Sequence, residues 1–305
     1  MKWQRKKGRK GRDVIDIRGA SPGPSSGSSS GGLGGLSIPG GLGGLGGGAG
    51  IVVVLVIVAI QVFGGGGTDL GLGPAFGGGV EAPGVDDVAP LPPDQDPQAD
   101  LKDFSSYVFT DAQNKWSKIF KEDGDDYERA ELVLYSDAVS TDGCGSATSA
   151  VGPFYCPADS RVYLDLTFYE DMQRQLGASG DFAWAYVIAH ELGHHVQNIK
   201  GTEEEVAEAD GDENELSVRL ELQADCYAGV YGATVFARGD LERNDIDEAF
   251  NAAEAIGDDR LQRQAGQEVN PDSFTHGTSE QRRTWFETGY EAGKTGDCDT
   301  FSGDI

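Results

Sequence analysis

From Gly40 to Gly67 the chain carries no charged residue, and at the centre of that stretch stands Ile51-Val-Val-Val-Leu-Val-Ile-Val-Ala-Ile60, continued by Val62 and Phe63. A run this apolar must leave water, as a buried strand, a targeting signal or a bilayer span. The surroundings decide. Gly, Ser, Pro and Leu make up nearly all of residues 19–50; such a segment cannot bury enough apolar surface to offset its backbone entropy, and disorder is expected. A core strand has no place beside it, and the run lies too far from Met1 for a secretory signal. A spanning helix needs about 20 residues, which Leu42, Leu45 and Ala49 help to supply. Lys2, Arg5, Lys6, Lys7, Arg9, Lys10, Arg12 and Arg18 precede it, against only Asp13 and Asp16. The positive-inside rule then puts the head in the cytoplasm and everything after Phe63 outside.

The expected organisation is a basic cytoplasmic head (1–18), a Gly/Ser-rich disordered segment (19–41), one transmembrane helix (42–63), a Gly/Pro-rich linker (64–100) and a folded domain (101–305). The protein is thus expected in a cell membrane, single-pass, with that domain periplasmic or extracellular. The whole chain carries −27 and the head +6, so the residues after the head carry −33; phosphates would meet repulsion over most of the surface and nucleic acid is excluded as a partner.

Within the domain, Phe104, Val108, Ala112, Trp116, Ile119 and Phe120 recur at helical spacing and predict a helix over 101–122. Residues 131–135 and 161–166 read as short strands. Helices are expected at 167–176, 181–200, 213–238, 245–256 and 279–293, the last with Ser279 as N-cap and Arg282 where a capping Glu would sit. The fold class is α+β, helix-rich, with a small sheet.

The stretch most telling for chemistry is His190-Glu-Leu-Gly-His194. Residues four apart on a helix differ by about 40° around its axis, so both imidazoles face one point. Neutral imidazole is a good zinc donor. Glu191 projects beside them, where it can hold a water rather than the ion, whose pKa the metal lowers to about 7. The preceding Phe182, Trp184, Tyr186, Val187 and Ile188 mark a buried helix, in which two His and a Glu without a ligand would be costly. His195 breaks the apolar face and is expected on the helix flank. Gln197 and Lys200 occupy the positions where a metzincin carries Gly and His, which excludes that pattern. The best third ligand is Glu221, in Glu221-Leu-Gln-Ala-Asp225. Asp225 shares its helix face and can accept a hydrogen bond from a ligand imidazole.

HExxH followed by Glu-x-x-Ala-Asp resembles the gluzincin class of metallopeptidases. More narrowly, the chain resembles the neutral zinc metallopeptidases of the bacterial membrane-anchored type. The segments that carry the likeness are Met1-Lys-Trp3, Asp13-Val-Ile-Asp-Ile-Arg-Gly19, Gly152-Pro-Phe-Tyr-Cys-Pro157, His190-Glu-Leu-Gly-His-His-Val-Gln197, Glu221-Leu-Gln-Ala-Asp-Cys-Tyr-Ala-Gly229 and His276-Gly-Thr-Ser-Glu-Gln-Arg282. The acidic stretch 203–215 looks longer than the family's. The resemblance implies a zincin-like domain, one Zn2+ held by His190, His194 and Glu221, and Glu191 as general base.

The tetrahedral oxyanion of amide hydrolysis needs a donor besides the metal; His276 is the first choice, with Tyr155 or Tyr227 as helpers. The strand at 162–166 is expected to accept an extended protein or peptide substrate along its edge. Cys144, Cys156, Cys226 and Cys298 form no CxxC pair, so disulfides are expected outside the membrane. Three pairings are open, and free buried cysteines are the alternative; the favoured pairing is Cys144–Cys156, which closes a short local loop, with Cys226–Cys298 then following by exclusion. The functional expectation is zinc-dependent peptide-bond hydrolysis. A membrane-tethered, non-catalytic zinc-binding scaffold and a zinc hydrolase of a non-peptide envelope substrate are the alternatives.

Overall fold

The computed structural model describes residues 1–3, 13–20, 82–86, 89–92 and 94–305. The expected transmembrane helix (42–63), and nearly all of the 19–41 segment, lie outside the described residues. Among the described residues no helix is long and apolar enough to cross a membrane.

A four-stranded sheet stands against a bundle of helices. Its strands are β1 (Val14–Asp16), β2 (Glu131–Tyr135), β5 (Phe154–Cys156) and β6 (Arg161–Asp165), in the order β1-β2-β6-β5. β1, β2 and β6 run parallel, with Val14 opposite Leu132 and Glu131 opposite Arg161; β5 runs antiparallel to β6, with Phe154 opposite Tyr163. β2 and β6 are buried along almost their whole length, as strands covered on both faces must be. A small hairpin, β3 (Ala138–Ser140) with β4 (Ser146–Thr148), extends from the sheet. Because β6 is flanked by β2 and β5, the expected docking of substrate along 162–166 is corrected: β5 is the edge strand on that side.

The helices are α1 (Ala99–Asp123), α2 (Phe168–Arg174), α3 (Asp181–Lys200), α4 (Thr202–Glu208), α5 (Glu213–Ala237), α6 (Asp245–Ala255), α7 (Asp258–Gln264) and α8 (Ser279–Ala292). α3 is the hub. It is buried from Phe182 to Gln197, so it needs neighbours on every side, and α1, α5 and α6 supply them. Gly201 ends it at φ 76°, a left-handed conformation that glycine adopts without steric cost. α5 is capped by Asp212, whose side chain accepts the Asn214 and Glu215 N–H groups. The N-cap of α8 lies one residue earlier than the expected Ser279. Thr278 caps the Gln281 N–H and Gln281 caps Thr278 in return. That register frees Arg282 from any capping role and turns it into the core.

The head does not stand apart from the domain. β1 completes the parallel sheet, and Arg18 is buried against Asp16 and Asp96, its Nη2 lying 2.7 Å from Asp96 Oδ2. Arg129 reaches Asp13 at 2.7 Å. The Met1 amino group lies 2.8 Å from Asp181 and 3.0 Å from Asp245, so the acidic cluster there already has its cation. The boundary at 101 is likewise corrected. Val85 is buried, Gly84 bridges to Ser140 and Ala89 accepts the Gly19 N–H. Both disulfides form in the expected pairs, Cys144–Cys156 and Cys226–Cys298.

Candidate metal centre

Close helix approach builds the site. A Cβ at Gly193 would lie 3.0 Å from Ala224 Cα, so the smallest side chain of α3 meets a small one of α5. The crossing sets Glu221 opposite His190 and His194. On the far side, α5 and α8 meet at Gly229 and Gly289, where an added Cβ would overlap the backbone of Phe286 and of Cys226 respectively. That contact carries Arg282 onto Asp225.

His190, His194 and Glu221 converge. Glu221 Oε2 lies 3.2 Å from His190 Nε2, and Oε1 lies 3.3 Å from His194 Nε2. The three candidate ligand atoms lie within 4.8 Å of one another, and all three residues are buried. The backs of the rings explain what faces the centre. His190 Nδ1 is 2.9 Å from Asp225 Oδ1, an atom that only accepts, so Nδ1 carries the proton. His194 Nδ1 is 2.9 Å from Gln197 Oε1. The Gln197 amide cannot flip without loss, because its Nε2 donates to Leu220 O at 2.7 Å. In the neutral rings both Nε2 lone pairs therefore point at a carboxylate. Acceptor faces acceptor, and Glu221 Oε1 is buried with no hydrogen bond. A positive charge between them, a proton on a ring nitrogen or a metal ion, reconciles such a set.

The electrostatics agree. Burial by itself lowers the His194 pKa, but the Glu221 charge and hydrogen bond push it up to about 10. Burial raises the Glu221 pKa, and His194 and His190 outweigh it and hold Glu221 well below the usual carboxylate range. A cluster that gathers protons this strongly binds a metal by exchanging them. Two His and one Glu, with a position left open, suit zinc.

Asp225 anchors the arrangement. Besides His190 it accepts from the Tyr186 hydroxyl at 2.6 Å and from Arg282 Nε at 2.8 Å and Nη2 at 3.1 Å. Glu191 lies on the cavity wall, and among the described residues no donor holds its carboxylate. Burial raises its pKa, with the neighbouring histidines opposing. An unheld, less acidic carboxylate is what a general base requires.

The structure places several expected residues elsewhere. His195 is buried rather than on the flank. Its Nε2 donates to Glu128 O at 2.8 Å, and its Nδ1 meets the Tyr155 hydroxyl at 3.0 Å. Asn198 also donates to that hydroxyl, so the Tyr155 ring lines the cavity while its polar end is spent. Tyr227 packs on Trp116 in a separate cluster. His276 is buried, with Nδ1 2.9 Å from Asp258 Oδ1 and Nε2 without a partner, and it is not among the residues that line the cavity. Arg282 is on that wall and was not expected there. Its only sequence signal was the unusual placement of a basic residue in the first turn of a helix.

Two imidazoles and a carboxylate from crossing helices, with a further carboxylate alongside, define a candidate metal centre. The chain belongs to the family described as "Putative neutral zinc metallopeptidase", which matches residues 1–301. It is 50% identical over 207 residues to the uncharacterized protein YpfJ of Escherichia coli, covering 66% of this chain and 72% of that one. It is 46% identical over 187 residues to an uncharacterized protein of Mycobacterium tuberculosis, covering 58% of this chain and 64% of that one. No solved structure matches.

Proposed function

We propose that the protein is a zinc-dependent peptidase. The observation that carries this reading is the set of three lone-pair acceptors, His190 Nε2, His194 Nε2 and Glu221, aimed at one another beside an uncommitted Glu191. Zinc, when bound, supplies Lewis-acid chemistry to a water and to the scissile carbonyl. The chain's residues do the rest. Glu191 takes the proton of the attacking water at its carboxylate and hands it to the leaving amine. Asp225, Tyr186 and Arg282 fix the His190 ring, and Gln197 fixes the His194 ring. The buried setting keeps bulk water away and strengthens each of these interactions. A purely structural site has no use for Glu191.

The test is metal content beside cleavage of a mixed peptide pool. Wild type and Glu191→Gln are expected to hold one zinc each, while Glu221→Ala loses it. Cleavage in Glu191→Gln is expected to fall by about 10^2–10^4-fold, the usual scale for a general base. A zinc-loaded Glu191→Gln protein with full proteolysis would show the mechanism to be wrong.

A further inference from the structure

The polar contacts behind the His194 ring do not stop at Gln197. They run on through Gln223 of α5 to the segment that follows α8. Gln223 Nε2 donates to the Cys298 backbone oxygen at 3.0 Å, and Gln223 Oε1 accepts from Gln197 Nε2 at 3.2 Å. The direction of each bond follows from the far end. A backbone carbonyl only accepts, so Gln223 presents its amide nitrogen to Cys298 and its oxygen to Gln197. Gln197 then presents nitrogen to Gln223, as it does to Leu220 O, and oxygen to His194 Nδ1 at 2.9 Å. The Nδ1 proton is thereby fixed, and the Nε2 lone pair is left for the metal position. Gln197 and Cys298 are at most 1% exposed and Gln223 is 7% exposed, so a partner lost from this chain leaves a buried polar group unsatisfied.

The Cys226–Cys298 disulfide holds Cys298 against α5, within one turn of Gln223. From Lys294 to Ile305 only Cys298 and Thr300 are buried, so little apolar burial keeps this strap in place. Thr300 Oγ1 donates to Arg219 O at 2.6 Å, and Arg219 donates back to Thr300 O. Such contacts open readily in a segment with so small a core. We propose that Gln223 and the strap it meets position the His194 ring, and that forming the Cys226–Cys298 disulfide completes the metal centre. The proposal deepens the peptidase reading and rests on it for its consequence: a chain whose cysteines are still reduced holds a weak hydrolytic centre. In the completing step a disulfide oxidant exchanges with the pair. Cys226 and Cys298 give up two electrons and two protons and gain an S–S bond, while the oxidant's own S–S bond opens to two thiols. Before that step Cys298 O is not pinned to Gln223, nothing fixes which end of the Gln223 amide faces Gln197, and Leu220 O alone keeps Gln197 in register. The other disulfide, Cys144–Cys156, joins β5 to the turn of the β3–β4 hairpin and touches none of these groups.

The experiment measures zinc affinity by chelator competition on four full-length chains: wild type, Cys226→Ser with Cys298→Ser, Cys144→Ser with Cys156→Ser, and Gln223→Met. Serine pairs stand for the reduced state without adding thiols that would bind zinc themselves. Melting of the zinc-free proteins checks that each is folded at the assay temperature. Gln223→Met keeps both disulfides and the side-chain volume, so it reads the positioning chain even where the Cys226 pair does not fold. The Cys226 pair and Gln223→Met are expected to bind zinc about 10–100-fold more weakly than wild type, the scale on which loss of a partner behind a ligand weakens a metal site. The Cys144 pair is expected to melt lower yet bind zinc like wild type; a merely stabilising disulfide at Cys226 would behave in the same way. Equal affinity in all four chains overturns the proposal and leaves the peptidase standing. A weak Cys226 pair with Gln223→Met at full affinity overturns the route through Gln223, and the reverse overturns the dependence on oxidation. The expected affinities together with no peptide cleavage by zinc-loaded wild type keep the strap and overturn the peptidase. A wild type that binds no zinc overturns both.

Discussion

Asp225 makes no contact with the candidate metal position, yet the site's geometry depends on it. Donors from Tyr186, His190 and Arg282 meet its two oxygens, all within 3.1 Å. Burial raises its pKa, while Arg282 and His190 outweigh that and keep it ionised. Asp225→Asn keeps the shape but replaces one acceptor with an amide that itself donates. Either His190 Nδ1–H or an Arg282 N–H then faces a donor, and the ring loses the partner that fixes its tautomer. The expected result is a 10–100-fold loss of zinc affinity, about the usual scale for such a partner, read by chelator competition. An unchanged affinity would mean that Asp225 only packs. At this scale the sequence was informative wherever the partners share one helix. His190, Glu191 and His194, and likewise Glu221 and Asp225, are spaced by helical periodicity alone, so their common face could be read directly. Arg282, His195 and Tyr155 were misread because each finds its partner on another element, and nothing in local spacing reports a contact between α8 and α5 or between β5 and α3.

At the scale of elements, the long periodic helices were legible. α3 runs over 181–200 as expected, and α1, α5, α6 and α8 deviate by no more than two residues at either end. A buried helix writes its apolar period over many residues. Short elements such as β3, β4, β5, α4 and α7 span three to seven residues each, too few for a period to register. Also illegible was how closely the helices pack, since a glycine in a helix looks like a simple loss of propensity. Gly289 is there because α8 touches the backbone of α5 at Cys226. Gly289→Ala is therefore expected to destabilise the fold by about 1–3 kcal/mol or more, the range of core overpacking, because backbone cannot move aside as a side chain does. It should also weaken zinc binding, since Arg282 and Asp225 are set by the same contact. Gly296→Ala, where an added Cβ meets nothing within 4 Å, is the matched control and should leave the unfolding free energy from urea titration within about 0.5 kcal/mol of wild type. Equal midpoints for both variants would refute the close-packing account.

At the scale of the whole molecule, composition and structure pull in different directions. The apolar run reads as a span, and the basic residues before it read as a cytoplasmic head. Yet β1 hydrogen-bonds in parallel with β2, and Arg18 lies buried between Asp16 and Asp96. A bilayer crossed once between residues 20 and 82 would separate β1 from β2, and no backbone hydrogen bond crosses a membrane. Two disulfides in the same body favour an oxidising compartment outside the cytoplasm. The head should then accompany the domain there, with any contact between residues 42–63 and a bilayer entering and leaving by the same face. The prediction is one of sidedness. Lys2 and Lys294 are both exposed. Single Lys2→Cys and Lys294→Cys variants of the full chain, expressed in intact cells and treated with a membrane-impermeant maleimide, should label together or be protected together. Labelling at 294 with protection at 2, reversed only by permeabilisation, would restore the single-pass head and require β1 to leave the sheet in the cell. Without β1, Arg18 and Lys102 would no longer meet Asp96 together, and the β2 edge would lie open to another strand.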